Sequence, residues 1–145
     1  MSLQNWLESG RLRAHKTSKG DIANILKAVD RDLADAQIQQ LSTDRRFATA
    51  YGAALLVATV ALAASGYRAP QEGHHYWTIQ SLGLTMKLNT KTVERLDAFR
   101  KKRNISDYER AGVISELETR EMLALAKELR DMVVEWLEKN HPELI

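Results

Sequence analysis

The sequence predicts an all-α fold, an up-and-down bundle of about four or five helices around a buried central one. Three observations predict it. Apolar residues recur at three-to-four spacing in the long segments, and Phe47 to Ser65 runs for nineteen residues without a charge. No segment alternates polar and apolar residues between hairpin turns, and no internal repeat is visible.

Thr17 or Ser18 can cap a first long helix, in which Ile22, Ile25, Leu26, Val29, Leu33 and Ala36 form one stripe. It is expected to end near Leu41. Asp30, Asp32 and Asp35 fall on its outer side, as a solvated face. Thr43 or Asp44 then caps a second helix, Arg45 to Ser65, with Gly66 placed for a left-handed stop. That helix is apolar almost all round, Leu56 and Val60 included, so it belongs at the centre. Its uncharged run approaches the length of a membrane span. However, eight alanines, Gly52 and flanking Arg45, Arg46 and Arg68 suit a helix surrounded by protein neighbours, and no membrane association is expected.

Tyr67 to Gly73 reads as a turn, followed by a short helix from His74 to about Leu82. Asn89 or Thr90 begins the next helix, with Val93, Leu96 and Phe99 on its apolar face. A loop is expected from Ile105 to Ile114. Ser115 and Glu118 match the Ser-x-x-Glu capping box, and the last helix puts Met122, Leu125, Leu129, Val133 and Trp136 on one face before Pro142.

A chain of 145 residues, 44% hydrophobic and 28% charged, fits a single domain over residues 1–145. The absence of cysteine excludes disulfide scaffolds, thiolate zinc sites and cysteine nucleophiles. The N-terminus lacks a signal-peptide layout, which makes the cytoplasm the expected compartment. Net charge is only +2, but Lys87 to Arg110 carries eight basic and four acidic residues, whereas Ser115 to Ile145 carries four basic and eight acidic. The basic segment suits an anionic partner, unless the acidic last helix neutralises it within the fold.

The strongest candidate for chemistry is Lys101-Lys102-Arg103-Asn104-Ile105-Ser106-Asp107-Tyr108. Continuing the Val93, Leu96, Phe99 step lands on Arg103, so that guanidinium faces inward or toward a partner, while Arg100, Lys101 and Lys102 fan around the outside. A charge on an apolar face requires an anion, carboxylate or carbonyl, and the guanidinium fork suits phosphate. The simpler alternative is that Arg103 bonds the last helix carbonyls and Asn104 ends the helix.

Gly73-His74-His75 is a second candidate. Adjacent helical histidines point about 100° apart and cannot share a metal as an i, i+4 pair can. No acidic or thiol cluster completes a ligand set nearby, so neither a metal site nor a cofactor is expected. His15, in the basic stretch Gly10 to Lys16, reads as solvated or capping. There is no glycine-rich phosphate loop, nucleophile elbow or His-Glu-x-x-His motif.

Arg103-Asn104 with Tyr108, placed before the last helix of a small all-α bundle, resembles the HEPN domain family, whose motif is Arg-x4–6-His with Asn often following Arg. Gly10-Arg11-Leu12 to His15, Asp30-Arg31-Asp32, Arg45-Arg46-Phe47 with Ala50-Tyr51, Gly66-Tyr67-Arg68 and Gly73-His74-His75 are similar to short stand-alone bacterial members. The resemblance implies a homodimer built on the motif helices and a metal-independent endoribonuclease or RNA-binding protein. It also implies the toxin of a toxin–antitoxin pair, partnered by a minimal nucleotidyltransferase antitoxin. Arg103, Asn104 and Tyr108 would form the catalytic set, with Arg100, Lys101, Lys102, Arg68, His74 and His75 as nucleic-acid contacts. Position 108 departs from the family motif. Its phenol, of pKa ~10, is a poor base at neutral pH but can donate a hydrogen bond or stack on a base. The alternative reading is a non-catalytic helical module for dimerisation or protein interaction.

Overall fold

The computed structural model describes residues 1–108 and 111–145, with backbone alone at 107 and 108. The fold is an all-α bundle around a central helix. In chain order it comprises α1 (Leu3–Glu8), β1 (Arg13–Ala14), α2 (Lys19–Asp35), α3 (Thr43–Ala64), β2 (Tyr67–Arg68), α4 (His74–Gln80), α5 (Leu82–Thr85), α6 (Thr90–Tyr108), α7 (Glu116–Asn140) and a 3₁₀ turn, Pro142–Leu144.

Helix α3 is the centre because it has almost no polar side to turn outward. Phe47, Tyr51, Val57 and Val60 are buried, and α2 and α7 make its most extensive contacts. It is long and apolar enough to cross a membrane, but 61% of its most apolar window is buried within the bundle, as in a core helix. Leu55 and Leu56 depart from the expected burial, being only partly covered. The expected faces of α2 and α7 hold: Ile22, Val29 and Leu33, and Met122, Leu125, Leu129 and Val133, all enter the core.

Serines cap α1, α2, α3 and α7. Ser18 Oγ accepts the Asp21 N–H at 3.1 Å, and Ser42, one residue ahead of the expected cap, accepts that of Arg45 at 3.1 Å. The reciprocal Ser115–Glu118 capping box forms at 3.0 Å both ways. Its hydrogen bonds are the main reason that the Glu118 carboxyl titrates below its ordinary range, with Lys102 adding to the effect.

Three boundaries differ from expectation. Helix α2 ends at Asp35 rather than near Leu41, because Arg46 is buried in α3 and its Nε donates to the Ala36 carbonyl at 3.0 Å. The Arg46 Nη1 also reaches Glu116 at 2.8 Å, tying α2, α3 and the start of α7 together. Helix α6 does not stop at Asn104 but continues to Tyr108. The left-handed residue in the following turn is Gly112, φ +78°, whose N–H donates to Asp44 Oδ2 at 2.7 Å. The third difference is a short antiparallel ribbon where turns were expected, pairing Arg13 with Arg68 and Ala14 with Tyr67. It closes over a satellite core of Trp6, Leu12, Leu62 and Ala69, against which Trp77 of α4 packs. Asp30 is exposed, as expected of a solvated face, and in that position pairs with Arg130 of α7 at 3.0 Å.

Candidate functional site

Because α6 continues through Asn104, residues 100, 103 and 104 share one edge of a regular helix, at i, i+3 and i+4. That edge faces α4. Arg100, Arg103 and Asn104 line an open pocket of about 370 Å³ with Gln71, Gly73, His74, His75 and Tyr76. Five of the residues singled out in the sequence therefore meet, from two helices.

Behind the lining residues His75 and Arg103 lies Tyr51 of α3, which is 1% exposed. A buried phenol requires a partner, and its hydroxyl lies 3.1 Å from His75 Nδ1. The Arg103 guanidinium lies 5.9 Å from the Tyr51 ring centroid, within cation–π reach. Arg100 is held differently: its Nε donates to Asp97 Oδ1 at 2.7 Å, and its guanidinium stands 5.4 Å from the Tyr76 ring centroid. This corrects the expectation that Arg100 fans outward. The same three-to-four step that leads from Phe99 to Arg103 also leads from Leu96 to Arg100, so both arginines border the buried face.

The surroundings set the protonation states. Burial pushes the Tyr51 phenol well above its ordinary value, against the opposing pull of Arg100 and Arg103. His75 is pushed below its ordinary 6.5, first by burial and then by Arg103, His74 and Arg100. At neutral pH the pair is a protonated phenol and a neutral imidazole. Two hydrogen-bond arrangements fit. The phenol can donate to Nδ1, or accept from Nδ1–H and leave Nε2 as an open acceptor.

Gly73 shapes the entrance. Its φ is +68°, and a Cβ there would lie 3.2 Å from Cδ1 and Nε1 of Trp77. Glycine alone allows both that backbone and the close indole, which fixes where His74 and His75 begin α4.

Other expected site residues lie elsewhere or are engaged. Lys101 is exposed, 3.7 Å from Asp97, and Lys102 pairs with Glu118 at 3.4 Å. Arg68 lies on β2 beside a small cavity that also touches His15 and His74. The Tyr108 side chain lies outside the described residues. Among those residues, no three His, Cys, Asp or Glu side chains converge as a metal site. Sequence reasoning missed the parts played by Tyr51, Tyr76 and Asp97. The signal for Tyr51 was present: a phenol in an otherwise aliphatic central helix.

No family model, curated protein or solved structure matches the chain.

Proposed function

We propose that this chain is an HEPN-type RNA-binding protein whose Arg100–Arg103 pocket receives a phosphate, and that it cleaves RNA without a metal ion by using His75. The observation that carries this reading is the meeting of Arg100, Arg103 and Asn104 with a neutral, tyrosine-held imidazole. Guanidinium forks stabilise charge on a phosphate's non-bridging oxygens. With Nδ1–H directed to Tyr51, His75 Nε2 can accept the ribose 2′-hydroxyl proton as that oxygen attacks the adjacent phosphorus. The bond from phosphorus to the 5′-oxygen breaks, and the leaving oxygen takes back a proton. The products are a 2′,3′-cyclic phosphate and a 5′-hydroxyl. In this proposal His75 supplies the imidazole that position 108 lacks, and Asn104 orients the phosphate.

The same proposal includes a homodimer and a toxin role with a nucleotidyltransferase antitoxin. The partly uncovered Leu55 and Leu56 of α3 support a second copy as a partner. Light scattering is then expected to give twice the 16.4 kDa chain mass; a monomer at high micromolar concentration removes the dimer from the proposal.

The competing reading is a non-catalytic interaction module. It is favoured by the internal neutralisation of Arg100 and Lys101 by Asp97, and of Lys102 by Glu118. RNA binding and cleavage by wild type, Arg103→Ala, His75→Gln and Tyr108→His, with and without chelator, separate the two. Arg103→Ala is expected to lose binding and His75→Gln to lose cleavage while retaining binding; chelator is expected to change neither. Equal RNA affinity in wild type and Arg103→Ala, with no cleavage by any variant, leaves the interaction module.

A further inference from the structure

A second basic hollow adjoins the phosphate pocket. It encloses about 730 Å³, is lined by Arg11, Arg13 and Trp77, and shares Gln71 and Gly73 with the Arg100–Arg103 pocket. The two adjoin at Gln71 and Gly73, at the start of α4, and we read them as one groove. Glu72 is the acidic residue in the lining of the second hollow.

Two features of this end of the groove have no evident use within the fold. Arg13 and Arg68 are directly opposed across a two-residue ladder, an arrangement in which like charges destabilise pairing. Neither of them, nor Arg11, has an acidic partner among the described residues, whereas Arg95, Arg100, Lys101 and Lys102 of α6 each face one. Arg11 instead lies 5.4 Å from the Trp77 ring centroid, and that indole is fixed edge-on by Trp6 at 5.4 Å and Tyr76 at 4.9 Å. Between the two cationic ends stands Tyr76, 38% exposed. Cations at both ends of an aromatic step match a chain of phosphates with a base between them better than a single small anion.

We propose that this groove is a second subsite for single-stranded RNA. In it, Arg11 and Arg13, with Arg68 beside them, hold one phosphate of a strand whose neighbouring phosphate lies at Arg100 and Arg103, and Tyr76 stacks on a base between. The inference rests on the phosphate-binding reading above and extends it from one phosphate to a strand. The three arginines are therefore length sensors, contributing only when the strand is long enough to reach both ends.

The test uses 2′-O-methyl oligouridylates, which cannot be cleaved through the 2′-oxygen: a dinucleotide, whose single phosphodiester can occupy only one end of the groove, and a strand of about nine nucleotides, within the site sizes seen for single-strand grooves. Affinity of the full chain is measured by fluorescence anisotropy across a salt series. Wild type is expected to bind the longer strand at least about tenfold more tightly, with a steeper salt dependence. The Arg11→Ala/Arg13→Ala double variant is expected to bind the short strand like wild type. On the long strand it should lose the gain, its log–log salt slope becoming shallower by about 1.4 for two lost single-strand contacts. Tyr76→Ala is expected to weaken the long strand about tenfold. Arg103→Ala weakens both lengths. A length gain retained in the double variant, or absent in wild type, overturns the second subsite while short-strand binding preserves the first. Failure of wild type to bind either length overturns both. Thermal melts of the arginine variants no lower than that of wild type show that the binding losses are not being read through unfolding.

Discussion

Tyr51→Phe removes one oxygen from behind the pocket and leaves the ring that Arg103 faces. The phenol is 1% exposed, and its hydroxyl bonds His75 Nδ1 at 3.1 Å. Losing a neutral hydrogen bond of this kind is expected to cost about 1 kcal/mol of stability, since the half-buried imidazole nitrogen left behind can be partly reached by water. The cation–π contact survives because the phenylalanine ring replaces the tyrosine ring. The larger expected effect is on orientation, for the His75 ring loses the bond that holds it toward α3. A free-energy cost of about 1.4 kcal/mol in the productive ring position corresponds to a tenfold slower chemical step. RNA affinity, which the proposed function assigns to Arg100 and Arg103, should change little. Urea denaturation followed by circular dichroism reads the first effect, and single-turnover cleavage with parallel binding reads the second. A variant as stable as wild type would show that the Tyr51–His75 bond is absent in solution. A variant that is destabilised yet cleaves at the wild-type rate would remove His75 positioning from the mechanism.

Val60→Asp places a carboxylate at a fully buried position in α3 and is expected to cost several kcal/mol or prevent folding; a stable, soluble variant would refute the central placement. Leu56→Asp, at a partly covered position, should cost less in the same chemical-denaturation assay. Arg46→Ala strands the buried Ala36 carbonyl and is expected to cost about 3 kcal/mol, combining an unsatisfied acceptor with lost packing. Its partner Glu116 is half exposed but faces a buried guanidinium, so Glu116→Gln, which keeps an oxygen acceptor and removes the charge, should lower the urea midpoint by less than Arg46→Ala does. His75 titrates below its ordinary 6.5 in the folded chain, so the unfolded state binds the proton more readily as pH falls through that value. This contribution to stability is full above pH 6.5 and declines toward the folded-state value. In Arg103→Ala the His75 imidazole resonance, followed by NMR, is expected to titrate closer to its ordinary value, and an unchanged midpoint would separate the two side chains.

The parts of the fold legible in the sequence are those fixed by local chemistry. The uncharged run of α3 could be satisfied only at the centre, and Ser115 with Glu118 specified a cap through bonds spanning three residues. Boundaries set by distant partners were not legible. Nothing between Ala36 and Leu41 announces that Arg46 will take the Ala36 carbonyl, and nothing at Asn104 announces that the turn will instead form at Gly112. The two-residue ribbon was beyond reach for a similar reason: no alternation can be read from so short a strand, and its pairing depends on α1 and α4 enclosing a satellite core.

The candidate site follows the same division. Arg103 stood out because it interrupts an apolar stripe, a local signal, and it does border the buried face. His75 was noticed as one of an adjacent pair whose divergence argued against a shared metal and, through the resemblance, as a nucleic-acid contact, but not as a base. Its significance depends on Tyr51, 24 residues earlier, and on the helix that carries Arg103. That relation inverts the meaning of position 108. Read along the sequence, a tyrosine at the motif's last position removes the base from the site. In three dimensions an imidazole already occupies the pocket beside both guanidiniums, and its depressed pKa keeps it neutral where a base is useful. In the proposed mechanism, dependence therefore shifts from residue 108 to residue 75. Tyr108→His should add little to a site that already holds a neutral imidazole, whereas His75→Gln should abolish cleavage even when Tyr108 is retained. If Tyr108→His instead restores cleavage to a chain inactive with His75 intact, the base belongs at position 108 and the Tyr51–His75 pair is structural.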